Sequence, residues 1–220
     1  MLPPKANAEF VCQVEDVLDV YHRVYDGKTS MVCLDERPVQ LIGELRSAVP
    51  AKPGREARYD YGYKRNGVAN IFMIFEPLKG RRQLQVTQRR TKKDWAKCVK
   101  WMVDELYSDS EKIVLVMDNL NTHKKASLYE TFEPAEAKHI ADKLEIHYTP
   151  KHGSWLNMAE IELSVLSRQC LNKRIEDIGK LNAKCKAWLK NRNRQANKVD
   201  WRFTTEDARI KLKKLYPSID

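Results

Sequence analysis

Two apolar runs of this 220-residue chain each end on an aspartate: Met31-Val32-Cys33-Leu34-Asp35 and Ile113-Val114-Leu115-Val116-Met117-Asp118. Downstream, Pro150-Lys151-His152-Gly153-Ser154-Trp155-Leu156-Asn157-Met158-Ala159 leads into Glu160 and reads as the entry to a helix. A short buried strand that ends on a carboxylate delivers that group to the edge of a sheet, where solvent, metal and substrate can reach it. Three acidic oxygen donors assembled this way would hold magnesium, a hard cation that takes oxygen ligands and keeps some of its waters. Two such ions clamp the attacking and leaving oxygens of a phosphoryl displacement. A single aspartate at a strand end is more simply a turn or a helix cap; the ordered trio carries the chemistry.

Glu162 competes for the third place. At about 100° per residue, Glu160 falls on a polar stripe with Asn157, Ser164 and Ser167, beside an apolar stripe of Leu156, Ala159, Leu163 and Leu166. Glu162 points roughly opposite, between apolar neighbours. Periodicity leans to Glu160 and leaves Glu162 open.

The elements that position these groups follow from hydrophobic rhythm and turn residues. Phe10, Val14, Val17, Leu18 and Tyr21 predict a helix within residues 7–25. The first strand covers residues 30–35 and is followed by a polar insertion. Asn66-Gly67 predicts a tight turn into a second strand, Val68 to Glu76. Pro77 to Arg82 reads as another turn and Gln83 to Gln88 as a third strand, together an antiparallel meander. Thr91 with Asp94 resembles a capping box and opens a helix whose Trp95, Val99, Met102, Val103 and Leu106 share a face. The run 113–117 is hydrophobic enough for a central strand covered on both faces. A helical stretch over 124–143 breaks near Pro134, Leu144 to Tyr148 forms a fifth strand, and Ser154 is the expected N-cap of the helix holding Glu160. A basic helical stretch to about Lys198 and a closing segment 201–216 complete an α/β chain: a mixed five-stranded sheet flanked by helices. Residues 1–29 form an N-terminal helix and connector, and 30–220 one catalytic domain with a basic helical C-terminal part.

With 42% apolar residues the chain can bury a real core. Its 40 Lys and Arg against 30 Asp and Glu give a net charge of +10 and point to a polyanionic partner, most commonly nucleic acid. Five cysteines, an odd number without C-x-x-C spacing, read as free thiols of a reducing cytoplasm. Lys5, Glu9, Glu15 and Asp16 interrupt any signal-peptide pattern, and no run approaches the ~20 apolar residues of a membrane span.

Three blocks carry a family resemblance: Val32-Cys33-Leu34-Asp35-Glu36, Val116-Met117-Asp118-Asn119-Leu120-Asn121-Thr122-His123, and Tyr148-Thr149-Pro150 through Glu160. In this order they resemble the catalytic blocks of DDE transposases, nearest to the bacterial insertion-sequence branch related to the Tc/mariner superfamily. The likeness runs from about Pro3 to Tyr216. It implies a ribonuclease H-like fold, two Mg²⁺ ions that Mn²⁺ can replace, and cleavage and joining of double-stranded DNA at transposon ends and target, with nucleoid association. By the resemblance Asp35, Asp118 and Glu160 are the catalytic and metal-binding trio, which decides against Glu162. Two departures stand: Met158 replaces a proline common in the third block, and the interval from Asp118 to Glu160 exceeds the spacing of some relatives. The excess is assigned to Phe132 to Lys143, read as extra helix. Residues 7–25 supply one helix, not the paired helical modules that read terminal repeats in such enzymes. The chain is therefore expected to be a catalytic domain alone, from a truncated copy or a split gene, with weak sequence-specific end binding. Coordinated cutting of two ends in the family favours a homodimer. A resolvase-like nuclease on the same scaffold and an inactive DNA-binding remnant are the alternatives.

Around the trio, His123 either orients a ligand, contacts a phosphate, or is an ordinary surface or capping histidine. Glu36 points to the face of its strand opposite Asp35. Asn119 and Asn157 are placed to hydrogen-bond the carboxylates or DNA, and Lys151 and His152 to meet phosphates near the scissile bond. Arg58, Lys64 and Arg65 alternate with Tyr59, Tyr61 and Tyr63, a pattern that suits a DNA backbone and stacked bases or an ordinary amphipathic hairpin. Arg81, Arg82, Arg89, Arg90, Lys92 and Lys93 flank the third strand. From Arg168, Lys173 and Arg174 through Lys180, Lys184, Lys186, Lys190, Arg192 and Arg194, bases outnumber acids; this is either a solvated face or a track for the phosphate backbone.

Overall fold

In the computed structural model, residues 5–24, 26–46, 49–57 and 61–218 are described. Among them a five-stranded sheet has the order β3-β2-β1-β4-β5. The strands are β1 (Thr29–Glu44), β2 (Tyr63–Glu76), β3 (Arg81–Thr87), β4 (Lys112–Asp118) and β5 (Leu144–Thr149). The pairs β1–β2 and β2–β3 are antiparallel, while β1–β4 and β4–β5 are parallel. The helices are α1 (Ala8–Tyr21), α2 (Lys92–Trp101, continued by a π-helical turn), α3 (Ala126–Tyr129), α4 (Pro134–Lys143), α5 (Met158–Cys170), α6 (Ile178–Arg194) and α7 (Thr205–Lys211). The mixed five-stranded α/β architecture is the one the sequence predicts.

Alternation along the strands divides the core into two layers. Cys33, Val114, Val116, Ile71 and Met73 pack with α1, α5 and α6 on one face. Val32, Leu34, Ile113, Leu115, Met117, Phe72 and Ile74 pack with α2 and α4 on the other. The expected capping box at Thr91 and Asp94 is present, and Pro134 starts α4, where its missing N–H costs nothing.

Three local expectations are corrected. The first strand does not end at Asp35 but runs on to Glu44. Its polar second half is held by β2, and Pro38 is tolerated there because β1 has already passed its last pairing with β4, Cys33 to Val116. Asn66-Gly67 is not a hairpin turn: β2 continues through it. Between the pairs Gln40–Val68 and Ile42–Arg65 the register slips, and Gly67, at φ 105°, supplies the backbone of a bulge that a side-chain-bearing residue rarely adopts. Ser154 does not cap α5 either. It opens a short 3₁₀ turn, Ser154–Leu156, and the cap is Asn157, whose side chain accepts from the Ala159 N–H at 3.0 Å.

The C-terminal helices are clamped to the sheet by a buried ion cluster. Arg82 is fully buried, donates to Glu162 at 2.8 Å, and lies over the Phe75 ring at 4.4 Å. Arg192 reaches the same carboxylate at 3.0 Å. Burial alone would raise the Glu162 pKa, but the two guanidinium groups hold it below the usual carboxylate range. The β2–β3 turn passes so close to the segment just after α6 that a Cβ on Gly80 would meet the Ala196 carbonyl oxygen at 2.5 Å. Arg82, one of the bases that flank the third strand, is thus a core residue.

Candidate active site

The parallel register of β1 and β4 is constant from Thr29–Lys112 to Cys33–Val116. Extended two residues, it sets Asp35 level with Asp118. Both continue the alternation of Cys33 and Val116, so both face the layer that contains α5. Pairing has lapsed at this level, and the gap between the strands opens into a cleft of about 330 Å³ lined by Asp35, Glu36, Arg37, Asp118, Thr149, Ser154, Asn157, Glu160, Leu163 and Ser164. The structure thus brings Asp35, Asp118 and Glu160 to one cleft. Glu162, on the opposite side of α5, is 2% exposed and occupied by Arg82 and Arg192.

Asn157 aims the helix. Buried at the N-terminus of α5, it donates to the Leu34 carbonyl at 2.9 Å while its oxygen caps the helix. The expected contact with the carboxylates is replaced by a tie between the β1 backbone next to Asp35 and the first turn that carries Glu160. Tyr21 adds a second tie, donating from α1 to the Leu156 carbonyl at 2.5 Å. Asn157→Ala removes both the cap and the strand tie, so it should cost on the order of 2 kcal/mol; a urea midpoint equal to wild type would show that the tie carries no load.

The cleft is electrostatically loaded. Burial, then the neighbouring Asp118 carboxylate, push the Asp35 pKa up to about 7; the Glu36 N–H bonded to it at 2.8 Å opposes this, and Glu160 adds to it. A carboxyl raised by its acidic neighbours gains stability from a divalent cation placed among them. The all-oxygen donor set of Asp35, Asp118 and Glu160 matches the hard ions Mg²⁺ and Mn²⁺.

Behind the trio, His123 is 1% exposed. Its Nδ1 lies 2.5 Å from Asp118 Oδ1 and its Nε2 3.1 Å from Glu36 Oε2. The second approach is an ion-pair contact whose angle leaves Glu36 Oε2 without a hydrogen bond. Burial would lower the His123 pKa, but the two carboxylates prevail and raise it to about 9. His123 is therefore not a surface histidine: it is buried and bonded to Asp118. Glu36 faces away from Asp35 as expected.

The remaining candidates fall on three surfaces. Asn119, Lys151 and His152 line a second cleft, about 930 Å³, which shares Asp118, Thr149 and Ser154 with the first. Arg168 stands two turns beyond Glu160 on α5 and donates to Ser164 at 3.1 Å, so it extends the polar stripe away from the cleft. Lys173 and Arg174 line a further groove with Arg37 and Ser167. Arg174 also bonds the Gly62 and Tyr61 carbonyls and stands 5.7 Å from the Tyr63 ring. Arg58 and Tyr59 lie outside the described residues. Several bases flanking the third strand or in the C-terminal basic stretch are paired within the protein: Arg90 with Glu36, Lys92 with Glu130, Lys180 with Glu176 and Arg192 with Glu162. Among the described residues, no helix is long and apolar enough to cross a membrane.

A mixed sheet with its antiparallel meander first, two parallel strands after it, and acidic groups at the break between β1 and β4 defines a ribonuclease H-like fold with an acidic centre. The family pattern of the DDE superfamily endonucleases matches residues 30–182. The chain belongs to that family. It is similar in fold to the "Crystal structure of the mariner Mos1 paired end complex with Mg", with TM-score 0.59 at 11% identity over 99% of this chain and 66% of that one. It is likewise similar to the "Mos1 transposase paired-end complex with left transposon end", with TM-score 0.56 at 10% identity over 86% of this chain and 57% of that one. The "catalytic domain of Mos1 mariner transposase" aligns with TM-score 0.53 at 9% identity, covering 90% of this chain and 96% of that domain. The chain therefore spans about 57% to 66% of the length of the paired-end transposase chains it matches. No curated protein matches it in sequence.

Proposed function

We propose that this chain is the catalytic domain of a transposase that cuts DNA at transposon ends and transfers the freed strand to a target. The observation that carries the reading is the convergence of Asp35, Asp118 and Glu160 on one cleft within a DDE superfamily domain. These three carboxylates are the proposed catalytic and metal-binding groups, with two Mg²⁺ ions as the natural cofactors and Mn²⁺ as a substitute. Bound there, the ions would lower the pKa of an attacking water and stabilise charge on the leaving oxygen. The protein's own part is geometric: β1 and β4 present two carboxylates in register, and Asn157 sets the helix that brings the third. Lys151, His152 and Asn119 are then placed to contact the strand on the Asp118 side, and Arg168, Lys173 and Arg174 on the Glu160 side. The net charge of +10 favours a polyanion, and paired-end complexes of the Mos1 relatives support double-stranded DNA and a homodimer as partners.

A pre-cleaved oligonucleotide bearing a free 3′-hydroxyl, incubated with plasmid and Mg²⁺, tests the reading. The transposase reading expects covalent joining. Cleavage without joining would reassign the domain to a nuclease, and salt-sensitive binding without reaction to a DNA-binding remnant.

A further inference from the structure

We propose that Glu36, His123 and Asp118 form a buried positioning relay in which Glu36 holds the His123 ring and the ring holds Asp118 at one rotamer. The inference rests on the reading of Asp118 as a metal ligand and deepens it. The relay uses one carboxylate oxygen of Asp118, Oδ1, and leaves Oδ2 to the cleft.

Two ionisable side chains are withdrawn from water to build it: His123 is 1% exposed and the Glu36 side chain 3%. Such burial is costly unless the groups pair, and here the ring nitrogens face one carboxylate each, at 2.5 Å and 3.1 Å. The ring cannot easily turn. It stacks on Trp95 at 5.8 Å between centroids with planes 26° apart. The His123 N–H donates to the Leu120 carbonyl at 2.9 Å, and its carbonyl accepts from the Tyr148 hydroxyl at 2.8 Å. Arg90 approaches Glu36 at 3.6 Å and anchors the far end.

The same three residues bring one donor atom each within 4.8 Å of one another, so a mixed nitrogen and oxygen metal site is the competing reading. The ring decides against it. An imidazole offers an ion the lone pair of one nitrogen, whereas Asp118 and Glu36 stand at opposite nitrogens with the ring between them. The Nδ1 contact is one that a ring N–H makes to the Asp118 carboxylate, and Nε2 faces Glu36 as an ion-pair contact. Glu36 adjoins Asp35 in sequence but lies on the other face of β1, so the relay crosses the sheet edge just beyond the last β1–β4 pair. His123 and Glu36 are positioning residues, acting on the ion only through Asp118.

The test is calorimetric titration of Mn²⁺ into the DNA-free protein, with metal-free unfolding temperatures as the fold control. Groups that orient a metal ligand are worth about 10–100-fold in affinity, and His123→Leu is expected to lose that much. His123→Asn, whose amide can donate from near the Nδ1 position, should recover most of it, and Glu36→Gln should show a smaller loss. If His123→Leu fails to fold, Glu36→Gln and His123→Asn still carry the comparison. Unchanged affinity in Glu36→Gln and His123→Leu, or no recovery in His123→Asn, would overturn the relay while leaving the metal reading intact. A wild-type protein that takes up no Mn²⁺ would overturn the metal reading first, and the relay with it.

Discussion

Asp35→Asn is expected to stabilise the metal-free protein above pH 7 while abolishing strand cleavage. Burial and the Asp118 charge hold the Asp35 pKa at about 7, against 3.8 for an ordinary aspartate. Between those values the folded protein binds a proton that the unfolded chain has released, so stability from this group falls as pH rises from about 4 and is fully lost above 7. The asparagine variant keeps the shape and removes the titration. The gap in unfolding free energy between variant and wild type should therefore open across that window. It should reach on the order of 2–3 kcal/mol, allowing for solvent that reaches the cleft. Mn²⁺ or Mg²⁺ should reverse the order, since only the wild-type trio gains from the cation. Denaturant unfolding at pH 4, 5.5, 7 and 8 reads this directly, and a gap independent of pH would remove the electrostatic account of the cleft.

The second large effect separates two glutamates that are two residues apart. Glu160→Gln should leave the unfolding midpoint near wild type, because the side chain is exposed at the cleft, and should abolish cleavage by removing a proposed metal ligand. Glu162→Ala should do the opposite. It strands the buried Arg82 guanidinium, and breaking a buried pair costs on the order of 3–5 kcal/mol; the protein should unfold early, with activity lost only in proportion to the unfolded fraction. Measured at a temperature where both remain folded, a Glu160→Gln enzyme that still cuts, beside a folded Glu162→Ala enzyme that does not, would move the third ligand.

The ordering of elements was readable because it rests on period and punctuation. The short apolar run 113–117 fitted a central strand covered on both faces, and it lies between β1 and β5. Thr91 and Asp94 cap α2 because their side chains bond each other's backbone within one turn, a purely local matter. The second half of β1 was not readable, since Glu36 through Gln40 have no apolar rhythm and are held by pairing with β2. Asn66-Gly67 misled for a related reason: positive φ serves a bulge as well as a hairpin turn, and the choice depends on the partner strand. Nothing local distinguishes Arg82, which ends inside the core, from Arg81 beside it, which is exposed.

Residue order alone therefore established the α/β architecture, the three acidic blocks and the excess of positive charge, because composition and short-range periodicity are properties of the chain. It could not say which charged groups would be spent on one another. That Glu162 belongs to Arg82 and Arg192, that Asn157 ties α5 to β1, and that Glu36 and Asp118 meet through His123 are all consequences of contacts between residues far apart in sequence. The two aspartate runs promised two carboxylates at a sheet edge. Packing placed them in register over a cleft with Glu160, and it set a buried histidine against Asp118, a burial that spacing alone left open.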